Sequence, residues 1–411
     1  MNFFKSTPSK YGKGTGLLWR GMNGKLLNSF VSNVFYKSKS QLSKKKEKLL
    51  KYESARSALY NCLIANDVGT KDEIIVSSFT CDAVTFAVKR TGAKIVYVDI
   101  NDDLTMNDRE VLNAINAKTK AIIFQNTFGR LGLKKQTIDK IKAKKIFLIE
   151  DCVLSIGSKI DDINLGSFGD ISFFSLEVSK TITIGWGGLV KINNELYKDK
   201  MISRYFSLRK ISTIADCRRF IQLWLSVFFT NLQPSFGVFL WYFLYGTKIF
   251  RTSSTYIIPP KNIKERMGPI SIELFNYIYP NFTNFYKISR HNYKFLLHEA
   301  LKLNLNCPVI ENSNEFIVTP RIPIIVDKKL IDKIIIKGAE IGVETGRWFS
   351  EVPPKWELSN SRIHSHINSL KISNTIINIP CHWTLKKSEL IKLKEFLIII
   401  SNLEIKKVKS I

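Results

Sequence analysis

Short apolar runs punctuate the chain from about residue 51 to residue 175: Ile74-Ile75-Val76, then 95–98, 121–124, 146–149 and 171–174. Each is strand length and rich in β-branched or aromatic residues, and each is separated from the next by a stretch long enough for a crossover helix. One such stretch, 108–116, carries Val111, Leu112 and Ile115 at helical spacing. Unbroken apolar strands alternating with helices predict a parallel sheet covered on both faces, an α/β architecture. In such sheets ligands sit beyond the carboxyl ends of the strands. The residues just after each run are therefore the place to look for chemistry.

Beyond about residue 261 the pattern changes. Helical spacing over 290–303 and 388–403 flanks a strand-like run at 321–326, which predicts a smaller α+β domain. Residues 1–50 are basic, end in KSKSQLSKKKEKLLK, and are expected to form an arm that completes this smaller domain. The expected organisation is an arm over 1–50, a large α/β domain over 51–260 and a small domain over 261–411. No internal repeat is present.

Composition narrows the class. The 411 residues are 45% hydrophobic and 12% aromatic, too apolar for a disordered chain, and the 21 glycines and 12 prolines exclude collagen-like sequence. The charge is unusual: 62 Lys and Arg face 35 Asp and Glu, a net +27. Such an excess suits a polyanionic partner, and it equally suits a general bias toward Lys. Nucleic acid ranks last among such partners, because no recognition motif accompanies the charge. Six scattered cysteines with no CxxC pair argue against disulfides and structural zinc. The first residues, MNFFKSTPSKYGKG, hold no apolar run of signal-peptide length. Both features point to the cytoplasm, or to the inner face of its membrane.

The membrane enters through residues 220–247, which carry no charge and hold Trp224, Trp241 and many Phe. Asn231, Gln233 and Pro234 split the segment into halves of about a dozen residues, short of the ~20 needed to span a bilayer. Arg209, Lys210, Arg218 and Arg219 precede it and Lys248 and Arg251 follow. Two basic flanks suit peripheral or re-entrant membrane contact, and a pair of buried interface helices is the other reading.

Two strand ends stand out. The run 146–149 closes with Glu150-Asp151, and the run 171–174 closes with Ser175, followed by Lys180 and Gly185-Trp186-Gly187-Gly188. An Asp and a Lys at neighbouring strand ends make either a structural ion pair or a working pair. The segment IEDCVLSIGSKIDDINLGSFGDISFFSLEVSKTITIGWGGLV as a whole resembles the cofactor segment of the DegT/StrS-type sugar aminotransferases, which are fold-type I pyridoxal-phosphate enzymes. Its elements stand in that family's order: Glu150-Asp151, Gly166-Ser167-Phe168-Gly169-Asp170, Phe174-Ser175, Lys180 and Gly187-Gly188. DEIIVSSFTCDAVTFAVKRTGAKIVYVDI upstream and INIPCHWTLKKSEL downstream are also similar to family elements.

The resemblance implies a fold-type I architecture with pyridoxal 5′-phosphate as cofactor. It implies that Lys180 holds the cofactor as a Schiff base and shuttles a proton, while Asp151 keeps the pyridine nitrogen protonated. Ser175 is expected on the phosphate, with backbone N–H groups of the turn at 54–57, entering a helix over 58–66. The implied partners are glutamate as amino donor, a keto-sugar on a nucleotide or lipid diphosphate, and a second copy in a homodimer. No metal is implied.

Several positions depart from the family pattern. Its Ser-Gly-Thr turn reads Ser54-Ala55-Arg56, which puts Ala55 and a cationic Arg56 beside the phosphate. Leu154 replaces a Gln or His, and Cys81 replaces an aromatic expected over the cofactor ring. Lys264, two residues before Arg266-Met267, replaces an Asn that reaches the phosphate from the neighbouring subunit. Arg347 lies where the family approaches substrate and could bind a donor carboxylate, and His382 belongs to the late "LP-x-H" element. These changes leave open a dehydratase or lyase on a related substrate, or a catalytically degenerate membrane scaffold. Neither His364-Ser365-His366 nor the glycine-rich Gly12-Lys13-Gly14-Thr15-Gly16 has the context of a metal or nucleotide site.

Overall fold

A computed structural model describes residues 24–36, 49–229, 263–350, 352 and 361–408. The strands are β1 (Leu49–Tyr52), β2 (Glu73–Ser77), β3 (Lys94–Val98), β4 (Thr119–Gln125), β5 (Phe147–Asp151), β6 (Lys159–Ile160), β7 (Ile163–Asn164) and β8 (Ile171–Ser175). They continue as β9 (Gly188–Ile192), β10 (Arg209–Lys210), β11 (Glu265–Arg266), β12 (Glu315–Phe316), β13 (Arg321–Ile325), β14 (Ser361–Ile363) and β15 (Ile376–Pro380). A ten-stranded sheet has the order β10-β11-β1-β9-β8-β5-β4-β2-β3-β14. From β8 to β14 the neighbours are parallel, whereas β9 is antiparallel to both β8 and β1. All five predicted runs are strands of its parallel part, as an α/β sheet requires.

Alternate residues of each strand go to opposite faces. Ile75, Val96, Ile122 and Leu148 enter one core, while Ile74, Ile95, Ile123 and Ile149 enter another with Ala58, Leu59, Cys62 and Leu63 of the helix Ala55–Ala65. That is why the runs are apolar without interruption. The predicted helix at 108–116 is Asp108–Ala114, started by the Asn107 side chain accepting from the Glu110 N–H.

A third core lies between the β13–β15 ribbon and the helices Ile331–Glu340 and Lys387–Val408. The boundary expected at 261 is not where the cores divide. The helix Pro269–Ile278 gives Leu274, Phe275 and Ile278 to a core of the large sheet, and β14 returns to that sheet beside β3. The helix Phe282–Lys302, predicted as 290–303, divides its own length: Phe282 and Phe285 pack in the large-sheet core, Tyr293 and Leu296 in the third. The arm also departs from expectation. Its helix Gly24–Tyr36 buries Leu27 and Phe30 in the large-sheet core, where Phe30 packs on Phe220 and Tyr277, instead of completing the small domain. Leu27 and Phe30 lie three apart on one helical face, so burial selects them from an otherwise basic arm.

The glycine-rich stretch at 12–16 and most of the uncharged run, from residue 230 on, lie outside the described residues. Among the described residues no helix is long and apolar enough to cross a membrane.

Candidate active site

Glu150 and Asp151 are adjacent and both buried, yet their surroundings give them different work. Glu150 accepts hydrogen bonds from the Gly166, Phe168 and Gly169 N–H groups at 2.6, 2.7 and 3.0 Å, and from Asn126 Nδ2 at 2.8 Å. Its charge is consumed in holding the 166–169 turn. A Cβ on Gly169 would lie 2.9 Å from the Glu150 backbone nitrogen, so the glycine permits this close approach. Asp170 is likewise structural, accepting from the Leu148 N–H and Asn194 Nδ2, both at 2.8 Å.

Asp151 has fewer obligations. Its Oδ1 accepts from the Val153 N–H at 3.0 Å, and its backbone oxygen accepts from the Asn126 N–H. Burial pushes its pKa up to about 7, opposed by the Val153 N–H and the charge of Lys180 and assisted by Glu150. A carboxylate buried with so little compensation is waiting for a cationic or N–H partner.

Lys180 lies in a loop that bonds to itself. Leu176 N–H donates to Gly187 O, Ile184 N–H to Leu176 O, and Thr183 Oγ1 to Leu176 O at 2.8 Å. The Lys180 N–H donates to Glu177 O at 3.0 Å. The lysine is half-buried, and its Nζ lies 4.8 Å from the centroid of the Trp348 ring. The same ammonium pulls down the pKa values of Asp151 and Cys81, which puts the three in one neighbourhood.

The helix Ala55–Ala65 begins three residues before the position its sequence predicts, because Ser54 caps it by accepting from the Ser57 N–H at 3.2 Å. This terminus lies over the edge where Ser175 pairs with Gly188 and Gly188 with Tyr52. A Cβ on Gly188 would meet Ser54 O and Ala55 N at 2.4 Å, so only glycine lets the strand pass under the helix end. The N–H groups at a helix start, the Ser175 hydroxyl and the Arg56 guanidinium have the chemistry of an anion cradle. Ser175 Oγ accepts from the Glu177 N–H at 3.3 Å and keeps its own proton to donate.

The other expected positions fall as follows. Cys81 opens the helix Asp82–Lys89, and burial raises its thiol pKa against the pull of the Ala83 N–H, Lys180 and Arg56. The Arg56 guanidinium lies 5.2 Å from the Phe86 ring of the same helix. Leu154 is buried and has no polar group to offer a ligand. Lys264 is exposed, on a segment whose Ile263 O accepts from Ser57 Oγ and Asn61 Nδ2, both at 2.8 Å.

Arg347 departs from expectation. Its Nη2 donates to Ser373 O at 2.9 Å, in the smaller unit, and burial lowers its pKa. The neighbouring Trp348 is the residue that meets Lys180. Gly346 pairs with Asn378, and a Cβ there would collide with the Arg321 guanidinium, so glycine is needed at this crossing. His382 is buried, with Nδ1 2.8 Å from Thr384 Oγ1 and its backbone oxygen on Asn292 Nδ2. Asn292 lies midway along the helix Phe282–Lys302, and Thr384 follows two residues after the histidine.

Gln125 went unnoticed in the sequence. It ends β4 opposite Asp151, accepts from Thr80 Oγ1 at 2.7 Å and donates to Phe79 O, thereby positioning Cys81. Its place just after the 121–124 run was the available signal. Among the described residues no group of three or more His, Cys, Asp and Glu is arranged to hold a metal, and His364 lies 3.1 Å from Glu110.

The residues present fit pyridoxal phosphate: an amine for its aldehyde, a buried carboxylate for its ring nitrogen, and an anion cradle a Cβ would close. GDP-perosamine synthase of Escherichia coli O157:H7 is 37% identical over 146 residues, covering 35% of this chain and 40% of that protein. The chain thus spans about two fifths of the length of the curated relatives it matches. The fold extends further than this sequence match. A DegT DnrJ EryC1 StrS aminotransferase from Brucella abortus superposes with a TM-score of 0.69 at 19% identity, covering 91% of this chain and 95% of the other. Spr1654 of Streptococcus pneumoniae in its PLP form gives 0.67 at 17% identity, covering 95% and 98%. The model of the DegT/DnrJ/EryC1/StrS aminotransferase family matches residues 37–223, the stretch that contains Ser54, Asp151, Ser175 and Lys180. Over those residues the chain is similar to the DegT/DnrJ/EryC1/StrS aminotransferase family.

Proposed function

We propose that this protein is a pyridoxal-phosphate-dependent aminotransferase that passes an amino group from glutamate to a keto-sugar carried on a nucleotide or lipid diphosphate. It would work as a homodimer on the cytoplasmic side, supplying amino sugars for cell-surface glycoconjugates. One observation carries the reading: Lys180 and the buried, under-compensated Asp151 lie together beside a helix terminus built for an anion. The relatives' names, GDP-perosamine synthase among them, support a nucleotide-linked sugar as acceptor.

When bound, pyridoxal phosphate supplies an electron sink for the bonding pair left when a proton leaves the substrate carbon. Asp151 would hold the proton on the ring nitrogen, and the same contact would draw its own pKa down from about 7. Lys180 Nζ would take the proton from the substrate carbon and return it elsewhere. The Ala55 and Arg56 N–H groups, Ser175 Oγ and the Arg56 guanidinium would hold the phosphate, joined by Lys264 from the neighbouring subunit. Leu154 and Cys81 would give the ring an apolar wall. Trp348, whose ring centroid lies 4.8 Å from Lys180 Nζ, would cover one side of the amine.

The reading is tested by incubating the protein with pyridoxal phosphate, reducing with borohydride and mapping the labelled peptide. Label on Lys180, lost in Lys180→Ala, is expected, with glutamate converting the bound cofactor to its amine form. Absence of label, or label distributed over surface lysines, overturns it. Label without any response to glutamate transfers the case to the dehydratase or lyase reading.

A further inference from the structure

The helix Thr213–Phe229 is built inside out. The side facing the protein carries Asp216, Arg219 and Gln222, all buried, beside Leu223 and Val227. Asp216 accepts from the Ile270 and Ser271 N–H groups at 2.7 and 3.1 Å, starting the helix Pro269–Ile278. Arg219 Nη2 donates to Glu53 at 2.6 Å, next to the Ser54 cap, and its guanidinium lies 5.6 Å from the Trp186 ring. The outward side is apolar. Ile214, Ile221, Trp224 and Phe228 are 77%, 48%, 38% and 46% exposed, and the exposed Cys217 completes the stripe at helical spacing. Trp224 stacks on Phe228 with ring centroids 5.7 Å apart, while its Nε1 donates to Asn28 Oδ1 of the helix Gly24–Tyr36 at 3.4 Å. Polar residues inside and a contiguous apolar stripe outside reverse the ordinary arrangement of a surface helix.

We infer that this stripe is a docking surface for an anionic lipid bilayer, on which the helix lies in the plane of the interface. Three observations favour lipid over other occupants. Cations border the stripe: Arg218 is exposed on the helix, and the exposed Arg209 and Lys210 form the edge strand β10 just before it. The Arg209–Glu265 contact is long, 3.8 Å, and leaves Arg209 77% exposed on its side chain. A tryptophan with basic neighbours matches the chemistry of the headgroup boundary.

The third observation concerns the chain's own next segment. Residues 230–247 hold no charge, and 236–245 read FGVFLWYFLY. A run of this composition suits the same lipid surface.

The test is flotation of the full chain with vesicles of phosphatidylcholine alone or mixed with phosphatidylglycerol. The protein should float with the mixed vesicles and less with the neutral ones, increasingly so as salt is lowered. Combined Ile221→Asn, Trp224→Asn and Phe228→Asn should weaken partitioning on the order of tenfold or more while leaving cofactor loading intact. Ile367→Asn with Ile391→Asn, on other helices and 81% and 51% exposed, should change nothing. Should the triple variant fail to fold, Arg209→Glu with Lys210→Glu must still abolish the preference for anionic vesicles. Equal flotation of the wild type and the triple variant overturns the inference. So does absence of flotation, whether the stripe then proves to join two copies in light scattering or to be covered by residues 230–262.

Discussion

Asp151→Asn gives the most direct reading of how the site is wired. In the cofactor-free protein the buried carboxyl has its pKa raised from 3.8 to about 7. The folded state therefore binds a proton that the unfolded chain has released, throughout the interval between those values. The associated stability is fully present below about pH 4 and is lost as pH rises through about 7. At ~1.4 kcal/mol per pH unit the whole interval amounts to on the order of 4 kcal/mol, of which roughly 2.5 falls between pH 5 and pH 8. Asparagine has no proton to lose, so the variant should escape this term. The measurement is urea denaturation of cofactor-free wild type and variant at half-unit steps from pH 5 to pH 8. The difference between the two, in which every other titrating group cancels, should move in favour of the variant by roughly 2 to 3 kcal/mol as pH rises. A difference that stays flat refutes the account of Asp151 as a buried carboxylate with too little compensation. The cofactor should reverse the trend, because a ring N–H stabilises the ionised form.

Two further changes probe the frame around this pair. Glu150→Gln should be far more damaging to stability than Asp151→Asn, by about 3 kcal/mol or more, because an amide would turn a donor toward the 166–169 N–H groups; a thermal shift below about 1 kcal/mol equivalent would refute its structural assignment. Gly188→Ala should cost about 1 to 3 kcal/mol and weaken pyridoxal-phosphate affinity together, since its methyl can be housed only by moving the Ser54–Ala55 helix end. Titration of the cofactor absorbance measures the second effect, and unchanged affinity would show that the helix end is not the phosphate seat.

Much of this was legible in the order of residues along the chain. The five buried strands announce themselves because a sheet covered on both faces needs apolar residues at every position. Asp151 and Lys180 follow from their places after two of those strands and from the ordered motifs around them. What escaped depends on distant partners. Glu150 and Asp151 are indistinguishable as neighbours in sequence, and only the 166–169 turn assigns one to structure. Arg347 was singled out for a donor carboxylate, yet its Nη2 donates to Ser373 O, and Trp348, which the sequence reading passed over, is the residue that meets Lys180. The burial of Leu27 and Phe30 in a basic arm has the same origin, since it is decided by Phe220 and Tyr277 far along the chain.

The helix Phe282–Lys302 has 21 residues and so a length on the order of 30 Å. One end is fastened in the core of the large sheet and the other beneath the β13–β15 ribbon. A strut shared in this way couples melting: loosening either core frees an end of the same helix and strips packing from the other. Heat should therefore take down both halves in a single calorimetric peak, and a fragment cut at residue 261 would carry an orphaned half-core that water immediately attacks. The chain is divided in its architecture and single in its cooperativity.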